Sequence, residues 1–299
     1  MQKGIAYAAG AFTLWGLLPL FWTALHHVPS GEILAHRIVW SLGFVLLLLA
    51  FQRHWRWLGP ALRDRRIMLA FLLSALFLSV NWFVYIWAVN AGHVVETSLG
   101  YFINPLVNVL LGFLFLKERL RFWQAVAIGV ALCGVLWLTI SYGALPWIAL
   151  TLAGSFGLYG LLRKTATLSS LEGLTLETLL LFVPSLGYLL YLEWIGTASF
   201  VHAGSTTSAL LLVSGVVTAM PLLLFAASAR RITLTLVGIM QYIAPTLQFL
   251  LGVLVYHEPV SQARLIGFCL IWLALAVYTA EGLLRSTTRA PLASAARES

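Results

Sequence analysis

The chain has 299 residues, of which 61% are hydrophobic and only 9% charged. So few charges cannot cover a water-soluble domain of that length, so the solvent around most of the surface is lipid. The formal charge of +8 excludes little by itself, because its meaning depends on where the basic residues fall.

A spanning helix needs ~20 largely apolar residues. Taken in order, such runs fall at 4–25, 31–51, 67–90, 94–116, 122–140, 146–162, 173–194, 208–228, 233–256 and 262–282. The first is as long as its neighbours and no small-residue cleavage site follows it, so it reads as a retained span rather than a signal peptide. The longest connections, 52–66 and 195–207, are too short for a nucleotide-binding or catalytic domain. No stretch reads G-x-x-x-x-G-K-[ST], so a pump driven by ATP is not expected.

The basic residues alternate by loop. Counting from an inside N-terminus, the inside segments hold Lys3; Arg53, Arg56, Arg63, Arg65 and Arg66; Lys117, Arg119 and Arg121; Arg163 and Lys164; Arg230 and Arg231; and Arg285, Arg289 and Arg297. That is sixteen of the eighteen; only Arg37, inside a span, and Arg264 fall elsewhere. This positive-inside pattern predicts a multi-pass membrane protein with both termini cytoplasmic. Its basic excess faces membrane lipids rather than nucleic acid.

An ungapped offset of 140 residues lays 101–118 over 241–258, with seven of eighteen positions identical. Among the matches are Pro105 with Pro245, Gly112 with Gly252 and Glu118 with Glu258. A weaker match joins 12–18 to 156–162, which makes Trp15 the mate of Tyr159. Each half then holds an odd number of helices, so equivalent segments cross in opposite directions. The expected fold is an all-α integral membrane protein whose ten transmembrane helices form two inverted five-helix repeats, 1–141 and 142–284. A disordered cytoplasmic tail, 285–299, follows.

Several segments carry a resemblance to a known family: Gly100-Tyr-Phe-Ile-Asn-Pro-Leu-Val-Asn-Val-Leu-Leu-Gly112, Asn81-Trp82, Trp87-Ala-Val-Asn90, Glu32-Ile-Leu-Ala-His-Arg37 and Gln241-Tyr-Ile-Ala-Pro245. The chain resembles the RarD family, EamA-type permeases of the drug/metabolite transporter superfamily, over nearly all of its length up to about Leu284. The resemblance implies ten helices in two repeats, a central cavity, a place in the bacterial cell (inner, cytoplasmic) membrane and transport without ATP.

Candidate site residues follow from polarity inside apolar spans. Tyr101, Asn104 and Asn108 are spaced three and four apart and form a stripe on one helix face; the repeat keeps Gln241 and Gln248. An unpartnered amide costs several kcal/mol in hydrocarbon, so these groups face either a wet cavity or another helix. Asn81, Trp82, Tyr85, Trp15 and Tyr159 complete an amphipathic pocket. Pro105 and Pro245 are candidate helix pivots. Ionisable residues in spans are functional candidates by default, which singles out Glu32, Arg37 and Glu177 for charge or coupling, with an interfacial ion pair as the alternative. Trp22, Trp55, Trp57, Trp147 and Trp194 lie near span ends and read as interfacial belt. Ala149, Ala153 and Gly157, and likewise Ala125, Gly129 and Cys133, read as close-packing stripes. Cys133 and Cys269 read as small buried hydrophobes, and His93 with Glu96 is too sparse for a metal site.

No catalytic constellation emerges: Asp64 is the sole aspartate, and neither a metal nor a cofactor is called for. The expected function is a non-enzymatic secondary transporter, a permease or exporter of a small amphipathic metabolite or drug working by alternating access around a midplane cavity. Its partners are the small-molecule substrate and a coupling proton or ion. The alternatives are a membrane sensor or scaffold without transport and, further off, an intramembrane enzyme.

Overall fold

The computed structural model describes residues 2–90, 94–142, 147–255 and 262–295. Every regular element among them is helical: α1 (Gln2–Thr23), α2 (Ser30–Gln52), α3 (Leu58–Arg63), α4 (Arg65–Asn90), α5 (Val94–Leu116), α6 (Phe122–Tyr142), α7 (Trp147–Thr165), α8 (Ser170–Trp194), α9 (Ser205–Ala229), α10 (Leu234–Gln241), α11 (Ile243–Leu254) and α12 (Gln262–Ala295). His93 and the side chain of Glu96 lie outside the described residues, as does Glu258, the repeat mate of Glu118.

Among the described residues, eight segments are long and apolar enough to cross a membrane, against the ten expected. Two expected spans are not among them. α7 is 19 residues long and carries Arg163 and Lys164 in its last turn, and in α12 the apolar stretch among the described residues runs Leu265–Glu281. The last helix is carried past Leu284 to Ala295. The lipid-facing side is plain in α4, where Leu69, Leu72, Leu76 and Phe83 are all more than half exposed along one face. In lipid such a stripe is solvated, and the backbone is satisfied within the helix.

Proline does not act uniformly. Pro19, Pro105, Pro184 and Pro221 sit inside continuous helices. The ninth expected span, by contrast, breaks at Tyr242 into α10 and α11. Pro245 lacks the N–H that would bond the Gln241 carbonyl, and its ring crowds that carbonyl; the break falls inside that turn. The two prolines at equivalent repeat positions therefore differ, with only Pro245 beside an interruption.

The helices pack as α1 on α9 and α11, α2 on α8 and α9, α4 on α7 and α8, α5 on α7 and α10, and α6 on α12. Close approach on α7 is as expected: a Cβ on Gly157 would meet Val107 at 2.6 Å, and Ala149 and Ala153 are fully buried. On α6 the expected stripe is on the wrong face. Ala125 and Gly129 are exposed, as are Cys133 and also Cys269 on α12. The contact with α12 instead uses Ala127, Ala131 and Gly134, the last facing the Gly267 carbonyl.

The main core gathers Phe12, Tyr159, Phe225 and Leu78 between the two halves of the sequence. Its rings step from Phe12 to Trp15 (5.6 Å between centroids), Trp15 to Phe156 (5.5 Å) and Phe156 to Phe225 (5.1 Å). Tilted and edge-on pairs of this kind add specific packing to area burial, and this aromatic floor carries the cavity.

Candidate transport cavity

Above the aromatic floor is a cavity of about 450 Å³. α1 turns Phe12, Trp15, Leu18 and Trp22 toward it, one per helical turn. α5 adds Thr97, Tyr101 and Asn104, again on one face; α4 adds Asn81, Trp82 and Tyr85; α2 adds Arg37. From the later part of the chain come Leu152 and Phe156 on α7, Thr218 and Leu222 on α9, Gln241 on α10, and Ala244, Pro245 and Gln248 on α11. Trp22 is the penultimate residue of α1 and Thr97 the fourth of α5, so the cavity lies toward the end of the bundle that bears the 24–29 connection and the start of α5.

Arg37 dominates the electrostatics. Its guanidinium carbon stands 4.7 Å from the Trp22 ring and 4.9 Å from that of Trp82, the arrangement in which a ring quadrupole attracts a cation. Its Nε donates to Thr218 Oγ1 at 2.9 Å. The rings of Tyr85 and Tyr101, 6.0 Å apart, line the same cavity. Trp22, set aside above as interfacial belt, is thus part of the cavity wall. The span-end rule fails here because the last turn of α1 faces inward.

The amides divide by what holds them. Asn81 Nδ2 donates to the Leu152 carbonyl at 2.9 Å and to Ser155 Oγ at 3.1 Å, tying α4 to α7. Gln248 Nε2 donates to the Trp15 carbonyl at 3.3 Å, tying α11 to α1. Asn108 Nδ2 donates to Gln241 Oε1 at 2.8 Å. Asn108 is fully buried and not on the lining, so it braces Gln241 from beneath. Asn104 is 4% exposed, lines the cavity, and has an Oδ1 with no hydrogen-bond partner.

Four other expected site residues lie off the cavity. Pro105 is not on its lining; its carbonyl packs instead against Gly238 of α10. Tyr159 is fully buried and stacks on Phe225 at 5.9 Å. Glu177, also fully buried, accepts from Ser74 Oγ at 2.5 Å and lies 3.6 Å from Arg163. Glu32 accepts from Ser199 N (2.6 Å), Ser199 Oγ (2.8 Å) and Phe200 N (3.1 Å). It therefore fixes the α8–α9 connection to α2.

The opposite end of the bundle is tied by a carboxylate and a lysine. Glu118, just past α5, accepts from Leu234 N at 2.7 Å, from Thr235 N at 2.9 Å and from Thr235 Oγ1 at 2.7 Å. A carboxylate there satisfies the free amides and complements the positive pole of α10. Lys164 lies 3.9 Å from Glu118 and donates to the Ala229 and Ile232 carbonyls at 3.1 and 2.5 Å. The ends of α5, α7, α9 and α10 are thereby joined. Sequence reasoning saw Glu118 only as a repeat match, and it missed Thr218 altogether, since a lone threonine in an apolar span gives no signal.

A multi-pass helical membrane protein with a solute-sized internal cavity defines a broad class, and comparison with known proteins narrows it. Residues 2–140 match the EamA-like transporter family. The uncharacterized transporter YojE of Bacillus subtilis is 49% identical over 93% of this chain and 94% of its own. Protein RarD of Streptomyces exfoliatus is 48% identical over 94% of this chain and 90% of its own. RarD of Escherichia coli is 40% identical over 94% and 95%. The chain belongs to the RarD family of EamA-like transporters. A solved crystal structure at 22% identity superposes with a TM-score of 0.70 over 97% of this chain and 99% of the other, so the fold is shared.

Proposed function

We propose that the chain is a secondary transporter that moves a small amphipathic solute through the cavity by alternating access of two inverted five-helix halves, 1–141 and 142–284. One observation carries the reading: a cavity of about 450 Å³ is lined from both halves, within the ~300–1,000 Å³ typical of sites for small organic molecules. The pairing of helices supports the repeat. With α1 exchanged for α7, α2 for α8, α4 for α9, α5 for α10–α11 and α6 for α12, the α5–α7 contact becomes α1 with α10–α11. The α4–α7 contact likewise becomes α1–α9, and α2–α9 becomes α4–α8, all of them observed pairs.

In this reading the basic end, bearing Lys117, Arg163, Lys164, Arg230 and Arg231, is cytoplasmic in the inner membrane. The cavity then faces the other side, with the Glu118 tie made. Opening inward releases Glu118 from α10 and moves α4, α7 and α8 around the buried Glu177–Arg163 pair. Glu177, rather than the backbone-bound Glu32, is then the better placed of the two to couple a proton or ion to the motion. The test is uptake of a panel of amphipathic acids, amides and amines into ATP-free proteoliposomes. Concentration-dependent uptake above protein-free vesicles is expected. A protein that binds panel members but never moves them is a sensor or scaffold, and that result overturns the reading.

A further inference from the structure

We propose that the transported solute is a monoanion, an organic acid whose carboxylate is held by Arg37 and whose apolar body lies on the aromatic floor; this rests on the cavity being the transport site. The charge census is the starting point. Among the described residues, Arg163 faces Glu177 at 3.6 Å, Lys164 faces Glu118 at 3.9 Å and Arg121 faces Glu281 at 3.2 Å. Arg37, the one charged residue on the cavity lining, has only neutral neighbours: a threonine hydroxyl, two indole faces and two phenols. No Asp, Glu, Lys or His is among the described lining residues.

A guanidinium in that setting keeps its charge and lacks an anion. Its Nε is engaged by Thr218, and its carbon lies over two tryptophan rings. That leaves the terminal nitrogens, a planar fork that matches a carboxylate with two parallel hydrogen bonds. The rings also exclude water, which strengthens the pairing. Trp15, Phe156 and Leu222 then offer apolar surface to the rest of the solute. Asn104 Oδ1, buried and unpartnered, asks for an uncharged N–H or O–H. An ammonium group finds no carboxylate on the described lining, which disfavours amines and zwitterions relative to plain acids.

The experiment is calorimetric binding to the purified full-length protein in detergent, with 3-phenylpropionate, 3-phenylpropionamide, 3-phenylpropylamine and octanoate as probes. The two carboxylates are expected to bind at least about tenfold more tightly than the amide, and the amine not measurably. Arg37→Gln should weaken carboxylate binding by roughly tenfold or more, the usual loss when a charged hydrogen bond is removed. Amide binding should stay within about twofold, which also reports that the variant is folded. Arg37→Lys, which keeps the charge without the fork, should fall between. Equal binding of acid and amide, tighter binding of the amine, no binding of either carboxylate, or carboxylate binding unchanged in Arg37→Gln would each overturn the inference. Anion binding without uptake in vesicles would instead count against transport, so the two failures are distinct.

Discussion

Replacing Glu118 with glutamine probes the tie opposite the cavity with minimal change in shape. The carboxylate accepts three hydrogen bonds of 2.7 to 2.9 Å from Leu234 and Thr235 and is only 10% exposed. Glutamine keeps one acceptor oxygen where the carboxylate has two, so at least one of the three bonds is lost, at about 1 kcal/mol or more, and the others weaken by about 1 kcal/mol each as the acceptor becomes neutral. The lost interaction with the α10 N-terminus adds ~0.3–1 kcal/mol. The sum, about 3–4 kcal/mol, corresponds to local opening at least ~100-fold more frequent. Hydrogen exchange reads this directly, because the first amides of a helix have no intrahelical partner and those of Leu234 and Thr235 depend on Glu118. In Glu118→Gln these two amides should exchange at least ~100-fold faster, while the Ser199 and Phe200 amides, held by Glu32 at the other end, should not change. Unchanged exchange at 234–235, or equal acceleration at both ends, would refute the reasoning.

Four further outcomes follow from the same geometry and from the charge partition. Asn108→Leu strips Gln241 of its donor and should cost ~1–3 kcal/mol of stability, read as a lower melting temperature. Asn104→Leu, which removes an already unpartnered oxygen, should leave stability unchanged and weaken uptake. Glu32→Ala orphans two half-buried backbone amides at 199–200 and should destabilise by ~1–3 kcal/mol, with Glu32→Gln recovering part of the loss. A cysteine at Arg63 should react with impermeant thiol reagents in inside-out vesicles but not in intact cells, as the charge partition requires.

Much of this was legible in the sequence because hydrocarbon imposes simple rules. Apolar runs marked the helices, and polar residues inside them led to Asn81, Trp82, Tyr85, Tyr101, Asn104, Gln241 and Gln248, all on the cavity lining. What escaped depended on rotation and on distant partners. Trp22 looked like an interfacial anchor until the last turn of α1 was seen to face Arg37. Asn108 shares a stripe with Asn104, yet it sits one turn deeper, where α10 covers it. Pro105 and Pro245 occupy equivalent positions, but only the second adjoins a break, since α5 stays continuous where its Pro105 carbonyl packs on Gly238. The function of Glu118 requires a partner 116 residues away, which no local pattern announces.

The most direct test of the central claim is solute counterflow in ATP-free proteoliposomes, comparing the wild type with Leu18→Trp. Leu18 lines the cavity at a half-buried position on α1, and the larger ring fills solute space while the opposite tie is untouched. Saturable counterflow by the wild type that is abolished in a folded Leu18→Trp protein is the predicted result. Counterflow that survives the substitution undiminished would place the permeation path elsewhere and contradict the account.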